Sequence, residues 1–361
     1  MTQEDTDLVS AQNRGGSFPE CLRATKYDTL RAHTKEEPRE TARTSRARAL
    51  LVEGHAMTTL SIHTPIGFIG AGAVGGTLAV ALAQAGYRVT AIASRTLASA
   101  QGLAARVVGC TAYATAQQVV SACDLVFITT PDDAIGTVAA ALTWRPGQGV
   151  VHCSGATSLE VFAQPCAQGA LPGALHPFQA VASIEAGVAS LPGATFGIEA
   201  EEPMRTLLIT LARALHGRPM VLSAADKALY HLSAVTMGNL LTGLAATAAQ
   251  LWEQLGYSRD DGVQAVVAMM RSVVHNIERA GIPAAVAGPY VRGDVGTIRR
   301  HLETLRTRVP EVLPLYRELA LAALPFGVEK QALSPAQSQA IGQLLRQAPA
   351  GEGGAAGALP T

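Results

Sequence analysis

The residues best suited to chemistry lie close together in K-A-L-Y-H-L-S-A-V-T-M-G-N, Lys227 to Asn239. Histidine titrates near neutral pH and can protonate a developing alkoxide or amine. On a helix, residues four apart share a face, so Lys227 and His231 stack. At a rise of about 1.5 Å per residue, Asn239 lies roughly 12 Å along from His231 and roughly 18 Å from Lys227. Lys227 and Asn239 therefore do not meet easily at one reacting atom. His231 is the better-centred acid, with Asn239 and Lys227 as further catalytic candidates. The competing readings are a core histidine bonded to a neighbouring helix and a solvated lysine at a helix start.

A second constellation points to a dinucleotide. Gly70-x-Gly72-x-x-Gly75 follows the apolar run Ile66–Ile69 and opens a helix. In that setting Gly70 makes the tight turn, Gly72 lets the backbone approach a pyrophosphate, and Gly75 lets helix and strand pack closely. The N–H groups of the first helical turn, Ala73 and Val74 included, would face the phosphates. An NAD site usually carries an acid about 20 residues on. No Asp or Glu occurs between Glu53 and Asp124, and the second strand runs out into Ser94-Arg95-Thr96. A guanidinium between two hydroxyls suits a 2′-phosphate, so NADP(H) is the expected cofactor. Thr130-Pro131 is expected at the same sheet edge, with Asp132 either near the cofactor or as a helix cap.

Further candidates occupy later loops. Ser154, in H-C-S-G, could meet substrate near the nicotinamide; Cys153 beside it reads as a small core residue. His176, in A-L-H-P-F-Q, belongs either beside the cofactor or to a rigid turn. Arg292, in G-P-Y-V-R-G-D, could clamp a carboxylate bidentately or pair with Asp294, the expected N-cap of the next helix. His301 follows on that helix. No spacing suggests a metal site.

These residues need elements to position them. Apolar runs at Ile66–Ile69, Arg88–Ala93, Leu125–Thr129 and Gly149–His152 alternate with helical segments, the pattern of a parallel doubly wound α/β sheet. Later strands are expected near Ala170–Leu175 and Ala194–Ile198. After Val221 the pattern is all-α. Ser223 with Asp226, Ser258 with Asp261, and Ser334-Pro335 with Gln337 read as helix starts, and Gly256 as a stop. The expected organisation is a poorly ordered extension over 1–60, an NADP-binding Rossmann-like domain over 61–221, a helical substrate and dimerisation domain over 222–348, and a disordered tail over 349–361.

Composition excludes other classes. Hydrophobic residues make up 48% and charged residues 16%, a globular balance. Lys+Arg and Asp+Glu stand at 28 each, which offers no basic field for nucleic acid. Five cysteines without C-x-x-C spacing indicate a reducing, cytoplasmic setting rather than a disulfide framework. Leu232 to Trp252 holds 21 residues without a formal charge. Its Ser, Thr, Asn and Gln make a buried helix of a soluble protein the preferred reading over a membrane span.

The fingerprint, V-V-H-C-S-G-A, A-L-H-P-F-Q, K-A-L-Y-H and G-P-Y-V-R-G-D-V-G-T-I-R-R-H occur in that order. With them the chain resembles a bacterial two-domain family that joins a Rossmann-like domain to a helical C-terminal domain of unknown function. More widely it is similar to β-hydroxyacid dehydrogenases, ketopantoate reductases and pyrroline-5-carboxylate reductases. The resemblance implies NADP-linked oxidoreduction and, often, dimers made by the helical domain. The β-hydroxyacid dehydrogenases carry a catalytic lysine one turn before an asparagine. Here Val235 stands one turn before Asn239, and His231 stands one turn after Lys227, so neither alignment reproduces the pair. The expectation is an NADPH-dependent reductase of a small carbonyl or imine acid. A ketopantoate-type 2-oxo acid is the named alternative substrate. A non-catalytic NADP-binding protein and hydride exchange with a deazaflavin are the competing functions.

Overall fold

The protein is described by a computed structural model over residues 62–347; the expectations for 1–60 and 349–361 fall outside the described residues. An eight-stranded sheet carries the order β3-β2-β1-β4-β5-β6-β7-β8. The first half alternates β1 (Ile66–Ile69), α1 (Ala73–Gln84), β2 (Val89–Ala93), α2 (Leu97–Ala104), β3 (Thr111–Tyr113), α3 (Ala116–Ala122), β4 (Leu125–Ile128), α4 (Asp132–Ala140) and β5 (Gly149–His152). Strands β1, β4 and β5 are buried along their whole length, which is why they read as continuous apolar runs rather than alternating ones. Phe68 and Phe127 stack at 4.9 Å on one face of the sheet, and Ile128, Val150 and Phe162 fill the other.

The second half departs from a purely parallel sheet. After α5 (Ala163–Ala167) come β6 (Leu171–Pro177), α6 (Ile184–Ser190), β7 (Thr195–Ala200), α7 (Met204–Ala214) and β8 (Arg218–Val221). Strand β7 runs antiparallel to β6, and β8 parallel to β7. Helix α6 explains the reversal. It lies on α1 so closely that a Cβ on Gly187 would sit 2.1 Å from Thr77 Oγ1, and one on Gly76 would sit 2.4 Å from Ile184. The connector thus stays at the edge where β6 ends, and the chain re-enters the sheet in the opposite sense. The short strands β3 and β8 carry no sequence signal strong enough to place them.

Beyond the sheet the chain is helical. α8 (Lys227–Val235) passes through a π-helical turn, Thr236–Leu240, into α9 (Leu241–Gln250). Then follow α10 (Arg259–Ala280), α11 (Pro289–Arg292), α12 (Val295–Arg308), α13 (Leu313–Glu329) and α14 (Pro335–Arg346). Ser258 and Ser334 form the expected capping boxes, and Gly256 stops the preceding helix at φ 83°. The expected box at Ser223 does not form. Its hydroxyl bonds the Asp226 carboxylate at 2.6 Å within a turn, and the helix starts only at Lys227.

Ile298, Leu302, Leu313, Leu324, Ile341 and Leu345 build a separate core from α12, α13 and α14. The α8–α9 helix touches it only where it runs out, at Leu251. Only 6% of its most apolar window is buried, so the expectation of a buried helix is corrected. The helix is nonetheless long and apolar enough, by length and composition, to cross a membrane. Apolarity predicted burial, but among the described residues none covers this face.

Candidate functional site

The glycine loop is built by β1 and held by β4. Gly70 takes φ 116°, and its N–H bonds Ala93 O at 2.8 Å. Thr129 secures the loop from beneath, its N–H on Ile69 O at 2.8 Å and its hydroxyl on Gly70 O at 3.0 Å. A Cβ on Gly75 would fall 2.2 Å from that hydroxyl, so the third glycine is required by packing. Thr129 was not among the expected site residues; its threonine type at a strand end was its only signal. A Cβ on Gly72 would meet no protein atom within 4 Å. The loop is thus tight where it packs and open at the α1 N-terminus, where a pyrophosphate would lie. Thr130 Oγ1 is buried at this edge without a protein partner, and Pro131 caps α4 from an exposed position.

The end of β2 presents Ser94 half-buried and Arg95 and Thr96 exposed. Thr96 Oγ1 accepts the Ser99 N–H at 3.2 Å, which caps α2. Among the described residues Arg95 makes no ion pair, so its guanidinium is available to an anion. These residues fit an adenine dinucleotide that carries a 2′-phosphate.

At the carboxyl ends of β5 and β6 the sheet carries a cluster of ionisable groups. Helix α8 lies across β6 and β7, with Lys227 at the level of Glu199 and Tyr230 one turn on at the level of Gly197 and His176. Lys227 Nζ is 3.1 Å from Glu199 Oε2, and both groups are buried. Burial pulls the Lys227 ammonium below its ordinary range, and Glu199 opposes the shift. The reading of a solvated lysine at a helix start is therefore corrected: Lys227 is buried and its contact with Glu199 binds α8 to β7.

Tyr230 ties α8 to β6. Its hydroxyl donates to the His176 carbonyl at 3.1 Å, accepts the Gly197 N–H at 3.2 Å, and stands 3.1 Å from His176 Nδ1. His176 and His231 meet edge to face, with centroids 5.8 Å apart. Gly155 permits this approach: a Cβ there would fall 2.6 Å from His231 Cδ2 and 3.0 Å from His176 Nε2. Burial, then the His231 and Lys227 charges, hold His176 down at about 4. His152 is held at about 3 by burial and then by Lys227 and His176. Both imidazoles are neutral near pH 7. Burial also pushes the Cys153 thiol up to about 12, which leaves no thiolate for nucleophilic chemistry.

A cavity of about 360 Å³ opens beside the two histidines, lined among others by Phe178, Met237, Gly238 and Asn239. The π-helical turn puts these last three on its wall. Such turns insert one extra residue and recur at functional sites, and the even spacing assumed for a straight helix does not foresee it. His231 and Asn239 thus share one cavity, which Lys227 does not line.

Ser154 is buried and engaged by α4 and by its own loop. Its hydroxyl donates to Asp132 at 2.6 Å and accepts the N–H groups of Ala156 and Thr157. Asp132 sits in the first turn of α4 rather than at its cap, and its carboxylate is spent on Ser154. Arg292 ends α11 in an exposed position and is not among the residues lining the cavity. Asp294 caps α12 as expected, and His301 bonds Tyr316 at 3.0 Å on the helical surface.

Residues 56–177 match the Rossmann-like domain family, and residues 194–323 match DUF2520, a domain of unknown function. The chain thus carries matches to both modules, in that order. No curated protein matches it. Among solved structures, this Rossmann–DUF2520 chain is similar to BF3122 of Bacteroides fragilis, a candidate NADP oxidoreductase. That likeness has 25% identity and TM-score 0.61, and spans 73% of this chain and 99% of that one. A reductive aminase from Aspergillus terreus, solved with NADPH and ethyl-5-oxohexanoate, shares the fold at 18% identity and TM-score 0.50, over 79% and 93% of the two chains. A pyrroline-5-carboxylate reductase from Coxiella burnetii shares it at 17% identity and TM-score 0.50, over 74% and 97%.

Proposed function

We propose that this Rossmann–DUF2520 protein is an NADP(H)-dependent oxidoreductase that reduces a small carbonyl or imine acid between the sheet edge and α8. The observation that carries the reading is the glycine loop, closed by Thr129 at Gly70 and Gly75 but open at Gly72. The N–H groups of Ala73, Val74 and Gly75 would hold the pyrophosphate, with Thr130 beside it. Ser94 and Arg95 would hold the 2′-phosphate, with Thr96 ordering the turn. A reduced nicotinamide bound there supplies hydride.

The chain's own part is to orient the acceptor and to deliver a proton. His231 stands in the cavity wall and gives its proton to the heteroatom of the substrate. Asn239 orients that group from the same wall. His176 is neutral and does not compete as the acid. Among the described residues the cavity wall holds no arginine or lysine, so a carboxylate clamp by Arg292 would come from a second copy.

The assembly belongs to the same proposal. Leu229, Leu232, Leu240, Val267, Val274 and Ile277 are exposed on α8 to α10, and a second copy would cover them. An isologous dimer buries one such face against its twin and leaves no open end. The cytoplasmic placement is part of the proposal and rests on the five cysteines without C-x-x-C spacing. Leu232→Glu with Val274→Glu is expected to convert a dimer to a monomer by light scattering. A wild-type chain that is monomeric in buffer, or recovered only in detergent, contradicts the dimer.

Arg95→Ala tests the cofactor. The variant should lose NADPH affinity by about 10-fold to 100-fold, as expected for one charge-assisted contact, and leave NADH affinity unchanged. Equal losses for both cofactors would contradict the 2′-phosphate role.

A further inference from the structure

The helical region holds a second cavity, which shares no lining residue with the His231 cavity. Leu251 and Leu255 from the exit of α9, Leu305 and Val309 from the end of α12, and Tyr316 from α13 line a space of about 360 Å³. Leu305 and Val309 are buried members of the α12–α14 core, whereas Leu255 is 61% exposed. The wall follows from spacing. His301, Thr304, Leu305 and Arg308 stand at i, i+3, i+4 and i+7, which makes one stripe along α12. That stripe is two helical turns long, about 10 Å. Both ends are held. His301 Nδ1 is 3.0 Å from the Tyr316 hydroxyl, and Arg308 Nη2 donates to Gln254 O at 2.6 Å, which fastens α12 to the turn that carries Leu255.

The charge of this cavity is one-sided. Among the described residues Arg308 makes no ion pair, and the bond to Gln254 leaves most of its N–H donors unused. No acid lines the space. Glu253 and Glu303, the acids closest to it in sequence on these elements, pair with Arg259 at 3.2 Å and with Arg306 at 3.6 Å. The C-terminus of α12 contributes a partial negative charge of about half a unit, less than the full positive charge of Arg308. Apolar walls with one cation at the end of a stripe suit a ligand that is apolar along its length and anionic at one end. A carboxylate meets a guanidinium through charge-assisted hydrogen bonds, and the walls take the chain out of water.

We propose that this cavity binds a medium-chain carboxylic acid, with the carboxylate on Arg308 and the chain against Leu251, Leu255, Leu305 and Val309. The proposal does not rest on the oxidoreductase reading, because the site needs neither the glycine loop nor His231.

The test titrates the full chain, without any dinucleotide, with octanoate, octylamine and octanol by calorimetry. Methyl-labelled leucine and valine signals are followed in parallel by NMR, Leu305 and Val309 being identified by Leu305→Ile and Val309→Ile. Octanoate should bind with a Kd below about 1 mM, about tenfold or more tightly than octylamine or octanol, and should shift the Leu305 and Val309 methyl signals. Arg308→Gln should weaken octanoate by about tenfold and leave octanol unchanged. Thr304→Trp, which fills the cavity from an exposed position, should abolish octanoate binding. Equal binding of octanoate and octylamine to the wild-type chain overturns the proposal, and that comparison needs no variant to fold. Octanoate that does not bind, or that shifts the Leu229 and Val274 signals of the exposed α8–α10 face instead, overturns it as well. None of these results bears on NADPH binding, so failure here leaves the oxidoreductase reading untouched.

Discussion

His231→Ala is expected to lower kcat by about 100-fold to 10,000-fold, the usual share of a positioned general acid, with NADPH affinity unchanged. The expectation follows from where the side chain stands. His231 lines the cavity beside Asn239 at the end of β6, four strands along the sheet from the β2 end whose Arg95 turn would hold the adenosine phosphate. His176 cannot take over, because burial and its neighbours hold it neutral with a pKa of about 4. Single-turnover rates with saturating NADPH and a panel of cyclic imines and 2-oxo acids measure the effect. A kcat within threefold of wild type would remove His231 from the chemistry and leave it as a wall of the cavity.

The largest stability effect is expected at Glu199. Its carboxylate and the Lys227 ammonium are 3.1 Å apart, with side-chain exposures of 11% and 3%. Glu199→Ala strands the lysine charge in the interior, and breaking a buried pair from one side costs about 3–5 kcal/mol. The loss falls where α8 joins β7, so the cavity should suffer with the fold. Replacing both groups, Glu199→Leu with Lys227→Met, removes the stranded charge and should recover most of the stability. Urea midpoints of the two variants decide the matter. Equal destabilisation of single and double variants would show that the pair acts through packing rather than charge.

The glycine loop was legible in the sequence because it is local. Gly70, Gly72 and Gly75 follow a strand and open a helix within ten residues, and every element around them is short and strongly patterned. The strands β1 and β5 were placed to the residue because both faces are buried, which gives an uninterrupted apolar run with sharp ends. The cluster around His176 and His231 depends on contacts across long separations. Tyr230 meets His176 from 54 positions away, and Lys227 meets a glutamate two strands back. Composition gives no sign of either partner. The same ambiguity misled the reading of α8 and α9, since an apolar helix looks alike whether its own chain or another molecule covers it. The π-helical turn at Thr236–Leu240 had no signal in residue type, yet it is what brings Asn239 round to the cavity of His231.

One binding measurement tests the central claim most directly: fluorescence titration of the full chain with NADPH and, in parallel, with NADH. The open glycine loop and the Arg95 turn predict saturable binding with clear preference for NADPH. A folded protein that binds neither dinucleotide would contradict the account, since the proton donor, the cavity and the proposed hydride acceptor all depend on that loop being filled.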